Sequence, residues 1–158
     1  MVKIKGQKVQ GRNVEVIPIL RPGENIVFLA EAIENFNDFD KLCPEPTAKM
    51  VRTPAGMVPD PNDTTLQEKI DDHNQKRTAY MVLKSLEKTP ELEWETVDIN
   101  KPETWENWRK ELEEGGFTQI EIGRILTGIM AANSLSSDAI EEAKKDFLLQ
   151  QSRQQKPS

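Results

Sequence analysis

The chain is poor in the residues that most enzymes and metal centres depend on. Among 158 residues it has one cysteine, one histidine and one tyrosine, and aromatic residues make up 6%. The single thiol, Cys43, cannot close an internal disulfide, and one thiol with one imidazole is too small a ligand set for a structural zinc site. Positive charge is also short: 21 Lys and Arg against 27 Asp and Glu leave a formal net charge of -6. That balance argues against a nucleic acid or an anionic membrane as partner, because affinity for either comes from clustered Lys and Arg. No apolar run approaches the roughly 20 residues that cross a bilayer, and the start from Met1 to Gln7 lacks the apolar core of a signal peptide. A reducing cytoplasm is the expected location.

The apolar fraction is 36% and the mean hydropathy -0.65, low enough that part of the chain should lie outside a core. A chain of this size still suits one domain and can bury roughly 70% of its unfolded surface. Four parts follow from the composition, and together they predict an α+β fold. Residues 1–40 form an N-terminal β region: Val14–Leu20 and Asn25–Ala30 are β-rich, and Arg21-Pro22-Gly23-Glu24 between them has turn chemistry. This predicts a small antiparallel hairpin, or a three-stranded sheet if Val2–Val9 adds an edge strand. Residues 41–63 collect Pro44, Pro46, Pro54, Pro59 and Pro61 and read as an extended loop or linker. Residues 64–149 read as a bundle of about four helices, and 150–158 as a disordered tail.

The first of those helices starts at Thr65, with Glu68 as capping partner, and runs towards Leu86; Asp71–Arg77 should be solvated and only the second half should pack. Between Pro90 and Asp98, apolar Leu92, Trp94 and Val97 among glutamates suggest a short strand or an extended arm. Pro102 can open the next helix, and Gly115-Gly116 stops it. Thr118 and Glu121 have the spacing of a capping box. Behind it Ile122, Ile125, Leu126, Ile129 and Met130 fall on one helical face. Leu135-Ser136-Ser137-Asp138 offers a fresh N-cap, and Ile140, Ala143, Phe147 and Leu148 make the stripe of a last helix. Two apolar faces so close in sequence are expected to pack on each other.

The chain's motifs offer no catalytic, cofactor or metal site. His73 lies in a polar helix with no nucleophile motif near it and reads as a solvated surface histidine. Cys43 has only Lys41 nearby to lower its pKa and reads as a small packed thiol. Asp60, Asn62 and Asp71 echo a calcium loop, but Thr65 stands where the turn needs glycine. Gly123 and Gly128 lack the Lys and Ser/Thr of a phosphate loop and read as positions of close helix packing. Glu111, Glu113 and Glu114, with Glu91, Glu93 and Glu95, read as solvated charge.

The tryptophans leave a choice open. Trp94, Trp105 and Trp108 fill a core or anchor a partner. The stripe Ile125, Leu126, Ile129 and Met130 is helix packing or a groove for an amphipathic helix from another protein.

One resemblance goes further. The order of the N-terminal hairpin, Leu42-Cys43-Pro44-Glu45-Pro46, the Pro-rich loop, Leu92-Glu93-Trp94-Glu95-Thr96-Val97-Asp98, Pro102-Glu103-Thr104-Trp105, Gly116-Phe117-Thr118, Ala132-Asn133-Ser134-Leu135 and Glu141–Leu148 resembles the tail assembly chaperones of long-tailed bacteriophages. The likeness covers roughly residues 10 to 149. It implies a non-enzymatic protein of the host cytoplasm that binds the tape measure protein, a long helix with apolar stripes, and keeps it soluble while tail tube subunits polymerise. The tail tube protein is a further candidate partner, and self-association stays open. On that reading the partner-binding residues are Trp105, Trp108, Ile122, Ile125, Leu126, Ile129, Met130 and Phe147. The alternatives are a structural virion protein, in the tail or in head completion, and an acidic inhibitor that mimics nucleic acid.

Overall fold

Alternation in Val14-Glu15-Val16-Ile17-Pro18-Ile19 places Ile17 and Ile19 on one face of a strand, and they are 3% and 0% exposed. A computed structural model of the chain describes residues 1–9, 11–135 and 137–154. The described residues are α+β, with three small antiparallel hairpins in the N-terminal part, a short helix between the second and third, and the longer helices after them. Contacts divide it into two compact units, Met1–Glu34 with Ser85–Glu91 and Gln119–Ser158, and Asn35–Lys84 with Leu92–Thr118.

In the first unit β3 (Val14–Ile19) pairs antiparallel with β4 (Ile26–Glu31), Val16 opposite Leu29 and Ile17 opposite Phe28. The expected hairpin is present, and its link is held by the Asn25 side chain, which accepts from the Arg21 N–H at 3.1 Å. The three-stranded alternative does not form. Residues 2–9 instead make a separate hairpin of two two-residue strands, β1 (Lys3–Ile4) and β2 (Gln7–Lys8), because Lys5 and Gly6 adopt positive φ and turn the chain back on itself.

Helix α4 (Gln119–Ala132) lies across the inner face of that β3–β4 sheet. Ile122, Ile125, Ile129 and Ala132 are fully enclosed with Ile17, Ile19, Phe28 and Ala30. Gly128 allows the close approach, because a Cβ there would collide with the Ile17 side chain. Gly123 has open space around its Cβ position, so only one of the two glycines serves packing, and it does so against a strand rather than a helix.

Past Asn133 the helix ends in paired reverse bonds: the Leu135 N–H donates to the Met130 carbonyl and the Ser134 N–H to the Ala131 carbonyl, with Ser134 at φ 58°. Asn133 is more than a break in the pattern. Its amide nitrogen donates to Ser85 Oγ and to the Ile129 carbonyl, both at 2.9 Å, and its oxygen accepts from the Ile33 N–H at 2.8 Å.

Helix α5 (Ser137–Gln154) follows. The expectation that its stripe packs on that of α4 fails: the sheet has already covered the buried face of α4, and Ile140, Phe147 and Leu148 stay 40%, 59% and 64% exposed. Gln150–Gln154 belong to α5 rather than to a disordered tail, since Gln and Arg prolong a helix once it has begun. Ser136 of the expected N-cap and residues 155–158 lie outside the described residues.

The second unit is built on aromatic rings. Phe39 of the short α1 (Asn37–Leu42), Tyr80 of α2 (Leu66–Ser85) and Trp105 are buried with ring centroids 5.3 to 5.8 Å apart. Phe36 and His73 close the cluster at its sides. The stretch read as a loop or linker contains a third hairpin, β5 (Met50–Thr53) with β6 (Gly56–Pro59). Its prolines are compatible with strands because Pro54 sits in the turn and Pro59 at a strand end, where a missing N–H costs little.

As expected, the first half of α2 is largely exposed, while Ala79, Tyr80, Val82 and Leu83 of the second half are buried. Pro102 opens a 3-10 turn (Pro102–Thr104) rather than the α-helix itself, which is α3 (Asn107–Glu114). Gly115 and Gly116 terminate α3 as expected, with Gly116 at φ 96°.

Candidate functional site

The eight residues singled out for partner binding separate by environment. Trp105, Ile122, Ile125 and Ile129 are 0% exposed and Trp108 is 6% exposed, so these side chains belong to the chain's own core and offer no surface to a partner. Leu126 is half-buried. Only Met130 and Phe147 stand exposed, at 43% and 59%. The choice left open for Trp105 and Trp108 is thereby decided for packing. The Trp105 indole N–H donates to the Ile99 carbonyl at 3.1 Å, and the Arg109 guanidinium lies 5.0 Å from the Trp108 ring.

Helix α5 carries one continuous patch of accessible apolar surface. Ile140, Ala143, Lys144, Phe147 and Leu148 line a shallow trough of about 490 Å³ along one side of the helix. Leu149 adds a further exposed leucine at 58%. The spacing of 140, 143, 147 and 148 made that face legible in the sequence, but Leu149 falls outside it and was missed. The only sign of Leu149 was the unbroken run Phe147-Leu148-Leu149. Charge of both signs flanks it, from Glu141 and Glu142 to Lys144, Lys145 and Asp146, and Lys144 Nζ is 3.2 Å from Glu141 Oε1 across one helical turn, both side chains solvent-exposed. Such a pair adds little stability and leaves the trough open.

The other candidates turn out to hold the structure together. Glu111, read as solvated charge, accepts from the N–H groups of Glu95, Thr96 and Val97 at 2.6 to 3.1 Å and from the Thr96 hydroxyl at 2.8 Å. Partial burial pushes its carboxyl up, but those donors outweigh it and hold the group below the ordinary carboxylate range. The segment from Pro90 to Asp98 is therefore the extended-arm alternative, tied down by one carboxylate, with no strand in it.

Asp63 binds the Lys49 N–H at 3.2 Å and both the N–H and hydroxyl of Thr65, and these donors lower its pKa as well. His73 is half-buried rather than solvated: its ring packs 5.1 Å from Phe39, and Nε2 lies 3.3 Å from the Cys43 carbonyl. Burial raises the Cys43 thiol above its usual pKa, opposed by Lys76 and reinforced by Asp72. A thiol in that state is a poor nucleophile. In the first turn of α4, Glu121 receives a two-pronged hydrogen bond from the Arg21 guanidinium in the link after β3, which pins the helix start to the hairpin.

Among the described residues no three His, Cys, Asp or Glu side chains converge as a metal site would need, and no helix is long and apolar enough to cross a membrane. The chain matches no family model, no curated protein and no solved structure.

Proposed function

We propose that the protein is a non-enzymatic assembly chaperone of the kind that serves bacteriophage tails, working in the host cytoplasm. It binds the long helical tape measure protein and keeps it soluble until tube subunits enclose it. The observation that carries this reading is α5: an 18-residue helix whose apolar stripe is left uncovered by its own chain. Such a surface suits helix-on-helix docking, in which the client's apolar stripe is covered by Ile140, Phe147 and Leu148. The net charge of -6 keeps the complex soluble, and a shallow contact lets the tube displace the chaperone. The order of sequence segments that resembles tail assembly chaperones supports the same reading and supplies the identity of the client.

The test is co-expression of the full chain with a tape measure protein, followed by partition between supernatant and pellet. The client should be soluble with the wild-type chain and insoluble with the Phe147→Asp or Leu148→Asp variants, both of which alter exposed positions and leave the core intact. A client that is equally soluble alone, or equally protected by both variants, would sink the proposal. Mass spectrometry of purified particles gives a second readout. The protein should be absent from them, and its presence as a regular component would make it a virion subunit instead.

A further inference from the structure

The β3–β4 sheet has two strands and therefore two outer edges, and the fold treats them unequally. The Ala32 N–H donates to the Asn13 carbonyl, which sets the phase of the ladder. By alternation, Val14, Val16 and Pro18 of β3, and Val27, Leu29 and Glu31 of β4, direct their backbone groups away from the partner strand. On the β4 side the middle residue of that row is capped: the Thr89 hydroxyl accepts from the Leu29 N–H and donates to its carbonyl, both at 3.0 Å. On the β3 side, among the described residues, the outward N–H and C=O of Val14 and Val16 meet no hydrogen-bonding partner. Pro18 lies where its missing N–H would point outward, as proline does on an edge strand. The side chains on the outer face are also apolar and accessible, with Val14 51%, Val16 58% and Val27 44% exposed.

We propose that this edge is a seam for self-association: two copies of the chain pair their β3 strands antiparallel and turn two hairpins into one four-stranded sheet. Charge favours a second copy here. The chain carries 27 acidic residues, yet the outward row of this edge, Val14, Val16 and Pro18, holds none, so two acidic molecules can meet along it without apposing like charges.

Charge also selects the register. A two-fold axis at Val16 sets each Glu15 opposite Ile17 of the other copy, whereas an axis between Val14 and Val16 would bring the two Glu15 residues face to face. In the favoured register the two Val16 residues exchange both of their hydrogen bonds, and each Val14 N–H meets a Pro18 carbonyl. The seam lies on β3 and is separate from the apolar face of α5, so this inference and the proposed chaperone role fail independently.

The test is sedimentation equilibrium of the full chain over a concentration series, with amide hydrogen exchange measured at both ends of the series. The wild-type chain should form dimers, and the Val14 and Val16 amides should gain protection as concentration rises. Val16→Lys, a charge on an exposed edge position, should weaken dimerisation by about tenfold or more with the circular dichroism of the monomer unchanged. Phe147→Lys on α5 should leave it as it was. A chain that stays monomeric throughout would overturn the inference. So would a dimer that Phe147→Lys disrupts and Val16→Lys does not, or Val14 and Val16 amides indifferent to concentration.

Discussion

Helices α4 and α5 follow one another in the chain, and both carry apolar residues at helical spacing, yet one is the centre of a core and the other is almost wholly solvated. Along α4, Ile122, Ile125 and Ile129 are 0% exposed, whereas along α5 Ile140, Phe147 and Leu148 range from 40% to 64% exposed. The difference lies in what each stripe meets. The α4 stripe finds the inner face of a hairpin whose Ile17, Ile19, Phe28 and Ala30 need cover, and Gly128 brings the two surfaces together. The α5 stripe follows when that face is already occupied. Periodicity therefore announces an apolar face but does not say whether the chain itself or another molecule covers it.

The sharpest way to break this contrast is to place the same charge in both stripes. Ile129→Asp buries a carboxylate without a partner and should cost about 4 to 5 kcal/mol, enough to unfold the protein in a thermal or urea melt. Phe147→Asp should change stability by no more than about 0.5 kcal/mol while abolishing client protection. If the two variants melted alike, α5 would be part of the core after all.

The two glycines of α4 make a smaller, internal version of the comparison. Gly128→Ala should destabilise by about 1 to 3 kcal/mol through overpacking against Ile17. Gly123→Ala, with open space around it, should stabilise by roughly 0.5 to 1 kcal/mol through helix propensity.

Acid offers a test that touches neither helix. Because the folded-state pKa of Glu111 is depressed, its contribution is complete above the ordinary carboxylate range and is lost as pH falls through the lowered value. Protection of the Thr96 and Val97 amides, measured against intrinsic exchange at each pH, should fall over that window, and Glu111→Gln should flatten the response.

The smallest effect is expected at the end of α4. Ser134→Gly should add up to about 1 kcal/mol, read as a rise in melting temperature, because Ser134 sits at φ 58° and glycine takes that conformation without the Cβ penalty.

Local chemistry made much of the fold legible. The Arg21-Pro22-Gly23-Glu24 turn, the stop at Gly115-Gly116 and the α4 stripe each depend on residues near in sequence, and each stands where it was expected. The missed features are those that depend on distant residues or on where a proline falls within an element. Five prolines between Pro44 and Pro61 read as a loop, although Pro54 and Pro59 occupy the positions of a hairpin where proline is tolerated. Glu111 read as solvated charge because its partners, Glu95 to Val97, lie 14 to 16 residues away. Of the partner-binding residues, the sequence could mark an apolar stripe but not its occupancy, so buried Ile129 and exposed Phe147 looked alike.

Local chemistry along the chain sets its class, small α+β and acidic with amphipathic helices in the C-terminal part, because turn chemistry, capping and periodicity act over a few residues. Which faces were used up was settled by packing in three dimensions. Burial is a contest among all apolar surfaces for a limited area of complementary surface, and its outcome depends on which elements meet in space. It gave the hairpin to α4, capped Leu29 on the β4 edge with Thr89, and left α5 and the edge of β3 accessible.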